Sequence, residues 1–320
     1  GFDSSFLEYR RLAPLLADGF QLFIPDLFGF GFSPRPLGLN YGPEPVLRHL
    51  DALLKRLPTE APVGLIGASM GGSVAVELAR RHPERVASLL LLAPAGLTGR
   101  PMPVPPLLDR VGAWFLGRPG VRRGLCRQAF ADPDADVGAP EEQIASLHLQ
   151  CPGWAEALAA FARSGGFAGS GDPLPPQSLH VIWGDNDRIL RAPQKQALQA
   201  LLDQPVETFP SCGHLPHIDQ PRCQAVSPAI DRADAIRYAV CEQGRVDIQY
   251  LVAFNQHATY CIQPAGRIDH AGVDVGSAVG CRRGHEPLPL VLRDRFRVTM
   301  SRQAMRTATP ISTCSWMTLR

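Results

Sequence analysis

The sequence predicts an α/β fold in which a mostly parallel, doubly wound β-sheet carries helices on both faces. Short apolar runs typical of buried strands alternate with amphipathic helical patterns along the first 96 residues. The alternation returns at residues 178–209, after a stretch rich in proline and glycine. Such an order requires crossover connections between strands, and these produce a parallel sheet covered on both faces.

The predicted elements follow one another in a regular order. Along the first 96 residues they are a helix over 6–19, a strand and glycine-rich loop over 20–36, a helix over 44–57, a strand over 62–67, a helix over 70–82 and a strand over 87–93. Strand character then returns at 178–187 and at 205–209, with a helix between the two strands. These two segments, 1–96 and 173–222, are predicted to form one core domain.

Ser69 stands between the strand at 62–67 and the helix at 70–82, within the sequence GASMGG. A sharp turn from strand to helix crowds the residues two positions before and after it, and glycines occupy both positions, Gly67 and Gly71. The spacing is that of a nucleophile elbow, which lifts a serine hydroxyl above a helix N-terminus. A glycine-rich turn without a catalytic role has the same local pattern, so the context of the motif decides between the two.

Two polar residues follow later strands of the predicted sheet. Asp187 comes after the strand that ends at Trp183, and His214 comes after the strand at 205–209. Because the carboxyl ends of parallel strands share one edge, we expect Ser69, Asp187 and His214 to lie together there. The order nucleophile, acid and histidine along the chain is that of a catalytic triad built on such a sheet.

Five ordered motifs make residues 1 to about 222 resemble the α/β-hydrolase family, in particular its serine esterases and lipases. They are Gly1-Phe2 as the remnant of an oxyanion loop, followed by PDLFGFGFSPRP, GASMGG, WGDNDRIL and CGHLPHIDQP. The opening GFDSSFLEYRRL also resembles hydrolases from photosynthetic lineages, some of which act on phytyl or other lipophilic esters. The resemblance implies an oxyanion hole formed by the backbone N–H groups of Phe2 and Met70.

The resemblance also implies that family strands preceding Gly1 are missing from this chain. One of them belongs in the centre of the sheet, between the strands at 20–36 and 62–67. Without it, that position of the sheet lacks its hydrogen-bond partners.

Two nearby residues are alternatives for the catalytic roles, and a third acidic residue is assigned a structural one. Asp185 is a second carboxylate close to the acid position, but the matching family turn places the acid three positions after its glycine, which selects Asp187. His217 is interpreted as a structural or solvated neighbour of His214. Asp26 receives a structural role in the loop that precedes GFGFS.

The predicted function is hydrolysis of a carboxylic ester of a small, lipophilic substrate. His214 would take the proton of Ser69 as the serine attacks the ester carbonyl, and Asp187 would fix the tautomer of the histidine. A serine at the nucleophile position disfavours dehalogenases and epoxide hydrolases, which use a carboxylate there. A C–C hydrolase or lyase with the same triad, and a non-catalytic receptor or scaffold on the same fold, remain open alternatives.

The composition limits which binding partners and which cellular compartment are expected for the protein. The formal net charge of +2 does not indicate a nucleic-acid partner. The longest apolar run, VASLLLLAPAGL at 86–97, is shorter than the roughly 20 residues of a membrane span. The eight cysteines contain no C-x-x-C pair, which predicts a reduced cytoplasmic protein without a disulfide framework, a zinc site or another cofactor.

Two regions depart from the regular alternation. Residues 97–172 are predicted to form a cap over the site, and Trp114, Trp154 and Phe161 are expected either to line an apolar pocket there or to pack the cap together. Residues 223–320 show little sustained periodicity and contain many arginines but no lysine. This tail is interpreted as disordered or as translated in a shifted reading frame, and it is expected to add no strand to the sheet.

Overall fold

A computed structural model of the chain describes residues 3–17, 20–202, 206–221, 250–255 and 258–261. Within them one sheet contains seven strands: β1 (Gln21–Phe23), β2 (Val63–Ala68), β3 (Val86–Leu92), β4 (Ser178–Gly184), β5 (Glu207–Phe209), β6 (Tyr250–Asn255) and β7 (Ala258–Cys261). The strand order is β1-β6-β2-β3-β4-β5, with β7 beside β6. Every pair is parallel except the antiparallel pair β6–β7.

The described residues also form α-helices on both sides of the sheet. They are α1 (Ala13–Leu16), α2 (Pro43–Leu54), α3 (Met70–Arg81), α4 (Leu108–Leu116), α5 (Pro119–Gln128), α6 (Pro133–Asp136), α7 (Ala139–Ile144), α8 (Trp154–Arg163), α9 (Ala192–Leu201) and α10 (Pro216–Asp219). None of these helices combines the length and the apolar character that a membrane crossing requires.

The sheet separates two apolar cores, as the predicted doubly wound architecture requires. Successive residues of a strand point to opposite faces. Leu89 and Leu91 of β3 therefore belong to the larger core with α2 and α3, while Leu90 and Leu92 belong to the core that packs under the N-terminal helical turns. Because both faces are covered, β2 and β3 are almost continuous apolar runs.

The first predicted helix is divided in two. Residues Phe6–Arg10 form a 3₁₀ helix, and α1 begins afresh at Ala13 with Pro14 in its first turn. Proline lacks the backbone N–H of a helix interior and collides with the carbonyl four residues earlier, so one continuous helix cannot pass through Pro14.

The expectation that the tail adds no strand is wrong for Tyr250–Asn255 and for Ala258–Cys261, which form β6 and β7. Strand β6 lies between β1 and β2, and Tyr250 is aligned with both Gln21 and Val63. It takes the central position that the family resemblance assigns to a strand preceding Gly1. YLVAF is a short apolar and aromatic run typical of a buried parallel strand, too short to show the longer periodicity sought in the tail. The predicted disorder or frame shift of the remaining tail lies outside the described residues.

The chain between β3 and β4 consists of helices α4–α8 and a 3₁₀ turn, Leu147–Gln150. Residues 97–172 are called the helical segment below. Within it α4 packs against α8, and Arg163 of α8 pairs with the buried carboxylate of Asp109 in α4.

Candidate active site

Ser69 forms the turn between β2 and α3, and its backbone is strained. Its φ of 53° and ψ of −124° are rare for a residue with a side chain. Two backbone hydrogen bonds of 2.9 Å hold the turn, one from the Ser69 N–H to the Leu92 carbonyl and one from the Ala95 N–H to the Ser69 carbonyl. The neighbouring strand and the loop after it therefore fix the position of this serine.

Two glycines of the motif are required by close backbone packing. A Cβ atom on Gly67 would lie 2.5 Å from the carbonyl oxygen of Gly71, and one on Gly72 would lie 2.5 Å from the Cβ of Pro94. Both distances are too short for any real contact. The small residues around Ser69 therefore allow the helix to start directly at the end of the strand.

The structure brings the three predicted catalytic side chains together. His214 Nε2 lies 3.0 Å from Ser69 Oγ, and His214 Nδ1 lies 2.9 Å from Asp187 Oδ2. Ser69 and His214 are buried. With the proton on Nδ1, His214 donates to Asp187 and accepts from the serine hydroxyl, which is the arrangement that a general base requires.

Backbone groups hold the acid and the base of this arrangement. Asp187 Oδ1 accepts hydrogen bonds from the N–H groups of Ile189 and Leu190, at 2.8 and 3.0 Å. Burial alone would raise the pKa of Asp187, but His214 and these N–H donors outweigh it, so the pKa lies below its ordinary value. The N–H of His214 donates to the carbonyl of Ala129, 2.8 Å away, which ties the histidine loop to the helical segment.

The two alternative residues take other positions. Asp185 is exposed, and its Oδ1 accepts a 3.4 Å hydrogen bond from the N–H of Cys212. His217 is buried, its ring is stacked on Tyr9 with centroids 4.7 Å apart, and its Nε2 lies 3.8 Å from the Glu8 carboxylate. Burial lowers the pKa of His217, which favours the neutral ring.

Of the two predicted oxyanion donors, one belongs to the described residues. Met70 is the first residue of α3 and directly follows Ser69. The first N–H groups of a helix have no partner within the helix and carry its positive dipole end, which suits the stabilisation of a developing negative charge. Phe2 lies outside the described residues.

Asp26 links the start of the chain to the glycine-rich loop. Its two carboxylate oxygens accept hydrogen bonds of 2.8 Å from the N–H groups of Phe6 and Phe32. Burial raises the pKa of Asp26 to about 8, against the opposing effect of those two donors. This carboxylate joins the first 3₁₀ helix to the glycine-rich loop, which is the kind of structural role expected of it.

A buried polar cluster around Asp3 was not predicted from the sequence. Asp3 Oδ1 accepts hydrogen bonds from His148 Nε2 and Trp154 Nε1, at 3.0 and 2.8 Å, and Arg122 pairs with Oδ2 at 2.9 Å. Arg122 also donates to the Asp3 carbonyl. The cluster fastens the residue after Phe2 to three parts of the helical segment.

The partners of Asp3 lower its pKa. Burial alone would raise it, but the hydrogen bond and electrostatic attraction of His148, the positive charge of Arg122 and the indole N–H of Trp154 outweigh that effect. The sequence carries little sign of the cluster, because Asp3 is more than 100 residues away from each of its three partners. A single arginine within a helical pattern is normally predicted to be exposed to solvent.

A cavity of about 290 Å³ lies beside Ser69 and His214. The helical segment contributes one wall, with mainly apolar side chains from α4, α5 and the loop that follows. Among the residues that line the cavity are Leu116, Leu125, Cys126, Phe130, Leu215 and Ile218.

The predicted pocket residues Trp114, Trp154 and Phe161 do not line this cavity. Trp114 is exposed on the outer side of α4, Trp154 is buried against Asp3, and Phe161 packs edge-on against Phe30 at a centroid distance of 5.0 Å. Of the two alternatives for these residues, lining the pocket is therefore wrong for this cavity, because helical spacing groups residues on a face but does not say which face meets the cavity.

Comparisons with known proteins identify the family to which this chain belongs. A family model described as the alpha/beta hydrolase family matches residues 1–225. The alpha/beta hydrolase domain-containing protein VTE7 of Arabidopsis thaliana is 30% identical over 69% of this chain and 68% of that protein. A 2-hydroxymuconate semialdehyde hydrolase of a Pseudomonas species is 30% identical over 68% of this chain and 77% of that enzyme.

A solved structure shares both the fold and part of the sequence. A thermophilic esterase from Thermogutta terrifontis superposes with a TM-score of 0.57 and 26% identity, covering 76% of this chain and 87% of the esterase. The family match spans more than half of the 320 residues and includes Ser69, Asp187 and His214. The chain therefore belongs to the alpha/beta hydrolase family, and we conclude that it is a hydrolase.

Proposed function

We propose that this protein is a serine hydrolase that cleaves a carboxylic ester of a small, lipophilic substrate through an acyl-enzyme. The observation that carries the proposal is the continuous chain of contacts from Ser69 Oγ through the His214 ring to Asp187, at 3.0 and 2.9 Å. A buried serine, histidine and carboxylate in this geometry can activate a hydroxyl for attack on a carbonyl.

In the first half-reaction, Ser69 Oγ bonds to the ester carbonyl carbon while its proton passes to His214 Nε2. The carbonyl oxygen becomes an oxyanion, which the N–H groups of Met70 and Phe2 stabilise. The carbon–oxygen bond to the alcohol then breaks, and His214 returns the proton to the departing alkoxide. Asp187 keeps the ring oriented and stabilises its cationic form, and it stays ionised throughout.

In the second half-reaction, a water molecule replaces the alcohol. His214 removes a proton from the water as its oxygen attacks the acyl carbon, and the same proton returns to Ser69 Oγ when the acyl–oxygen bond breaks. The carboxylic acid and the free enzyme result.

The cavity favours an uncharged, lipophilic substrate. Its walls include Leu116, Phe130 and Ile218, and two of its arginines are already paired inside the protein. Arg122 pairs with Asp3, and Arg10 pairs with Glu141. We propose further that the helical segment acts as the cap of this pocket and limits the size of the acyl group.

C–C bond hydrolysis is the second candidate. The Pseudomonas relative is named for 2-hydroxymuconate semialdehyde, a charged and highly polar substrate by comparison with a lipophilic ester. Arg188 and Arg191 also line the cavity; because Arg188 already donates to the carbonyls of Phe130 and Ala131, Arg191 is the arginine that would bind a substrate carboxylate. Comparing rates on p-nitrophenyl butyrate and on 2-hydroxymuconate semialdehyde separates the two candidates, because an ester hydrolase prefers the first.

The direct test of the mechanism is active-site labelling of the full chain with a fluorophosphonate. We expect wild-type protein to be labelled at Ser69 and Ser69→Ala to be neither labelled nor active on p-nitrophenyl butyrate. Ser73→Ala is the matched control, since Ser73 is a buried serine one turn further along α3, hydrogen-bonded to the Ala95 carbonyl. Labelling or ester turnover that persists in Ser69→Ala would overturn the proposal.

A further inference from the structure

The outer face of helix α4 is apolar although it points into solvent. Leu108, Val111, Trp114 and Phe115 are exposed there, by 58%, 50%, 62% and 52%. Asp109 and Ala113, on the opposite side, are buried. A surface helix normally reverses this pattern, so the exposed residues form an apolar face that some partner is needed to cover.

The loop before α4 extends this face. Met102 is 81% exposed and Leu107 is 71% exposed. Together with the four residues of α4, these side chains form what we call the outer face. Trp114 also lines an open cleft between α4 and α8.

Positive charge surrounds the outer face. Arg100, Arg110 and Arg118 are exposed, and the guanidinium of Arg118 lies over the Trp114 ring, 5.0 Å from its centroid. Between residues 97 and 131 the sequence contains one acidic residue, Asp109, which is buried and paired with Arg163. Glu156 of α8 is exposed at the margin of the face.

The same helix reaches the catalytic cavity. Leu116, the last residue of α4, lines the cavity beside Ser69 and His214. The outer face and the proposed ester site are therefore one helix apart, which would place a substrate dissolved in an apolar phase close to the nucleophile.

We propose that the outer face docks on the surface of an anionic lipid bilayer. Large apolar side chains, a tryptophan and surrounding arginines are the composition of helices that lie at the boundary between headgroups and acyl chains. The charge complements anionic headgroups. A second copy of this chain is a poorer occupant, because a symmetric contact through the same face would bring the three arginines of both copies together.

Vesicle binding by the full chain tests the proposal. Wild-type protein should co-sediment with vesicles of 70% phosphatidylcholine and 30% phosphatidylglycerol, and binding should fall in pure phosphatidylcholine and at high salt. The double variant Trp114→Ser, Phe115→Ser should bind at least about tenfold more weakly, since two large apolar groups no longer insert. Leu37→Ser is the matched control, because Leu37 is 84% exposed in a different loop, and it should bind like wild type.

Binding does not require catalysis, so its result is independent of the proposed ester hydrolysis. Ser69→Ala should bind vesicles like wild type, and the double variant should keep wild-type turnover of soluble p-nitrophenyl acetate. Absence of wild-type binding to the anionic vesicles would overturn the proposal, as would equal binding by the double variant. Self-association that the double variant abolishes, without vesicle binding, would instead assign the face to a protein contact and would equally overturn it.

Discussion

The two walls of the catalytic cavity are held in position in different ways. On the sheet side, the main chain fixes the polar groups, because Ser69 is bonded to Leu92 and Ala95 and Asp187 is held by two backbone N–H groups. On the side of the helical segment, buried polar side chains hold the wall, since Asp3 pairs with Arg122 and accepts hydrogen bonds from His148 and Trp154. Substitutions should therefore have different consequences on the two sides.

On the sheet side, a side-chain substitution can remove chemistry without moving its surroundings. On the helical side, removal of one charged partner leaves the other buried and uncompensated, which typically costs about 3–5 kcal/mol. Variants on the sheet side should therefore lose activity and keep their fold. Variants on the helical side should lose activity because the protein becomes less stable. Variants on each side test this difference.

The largest effect is expected from removal of the proposed nucleophile. Ser69→Ala should reduce kcat/KM on p-nitrophenyl butyrate by at least about 10³-fold, and His214→Ala should do so to a similar extent. The variant that combines Ser69→Ala and His214→Ala should have a kcat/KM little lower than that of either single variant, because the two residues act as a unit. Thermal unfolding followed by circular dichroism should show Tm values close to wild type, and a large loss of Tm would contradict main-chain control of this wall.

The next largest effect is on stability, at Gly67. A Cβ atom there meets the Gly71 carbonyl at 2.5 Å, so Gly67→Ala should lower the free energy of unfolding by about 3 kcal/mol and also impair turnover. The same substitution at Gly112 in α4 meets nothing within 4 Å and should stabilise the protein by about 0.5–1 kcal/mol. Urea denaturation measures both, and equal effects at the two glycines would refute the packing argument.

The sequence predicts the sheet side better than the helical side for a physical reason. Each residue of the proposed triad, Ser69, Asp187 and His214, follows a strand. Parallel strands have their carboxyl ends at one edge of the sheet, independently of the conformation of the loops. Local residue order is therefore enough to predict that they meet. The need for glycine at position 67 can also be predicted from the sequence, because the close contact with Gly71 arises within the same turn.

The helical segment depends on information that local patterns do not contain. Asp3 contacts Arg122 and Trp154, which lie more than 100 residues away in the sequence. The residues adjacent to each of them in the sequence do not predict these contacts. The spacing of Trp114 predicts a helix but not the side that is covered, so the sequence leaves open whether this tryptophan lines the pocket, and it lies outside the cavity. Strand β6 is not predicted from the sequence, because its apolar part, YLVAF, is too short to show a period.

The third prediction concerns Asp3 on the helical side. Asp3→Asn should lower the free energy of unfolding by about 3 kcal/mol at pH 7, because Arg122 remains buried without its carboxylate. Asp134→Asn is the control, since the pair of Asp134 with Arg127 is exposed and should contribute less than about 1 kcal/mol. A loss at Asp3 no greater than at Asp134 would show that the buried cluster is not what holds this wall.

The pH dependence of the Asp3 effect follows from the lowered pKa of its carboxyl. A carboxylate whose folded pKa lies below the ordinary 3.8 stabilises the fold above that pH, and the contribution is lost as the pH falls through the folded pKa. The difference between wild type and Asp3→Asn should therefore be largest at neutral pH and shrink below pH 4. Urea denaturation at pH 7, 5 and 3 measures it, and a constant difference would exclude an electrostatic origin.

The smallest effect is expected at Cys126, which lines the cavity from α5. Burial, together with the negative charges of Glu142 and Glu141, raises the pKa of this thiol to about 11. At pH 8 only about one molecule in a thousand would then carry the reactive thiolate, so iodoacetamide should leave Cys126 unmodified in the native protein and alkylate it in urea, as peptide mass mapping would reveal. Cys126→Ser should change kcat/KM by less than about twofold, because this side chain fills space and takes no part in proton transfer. A large loss of turnover, or rapid native alkylation that inactivates the enzyme, would mean that the helical wall contributes chemistry as well as shape, and the contrast between the two walls would no longer hold.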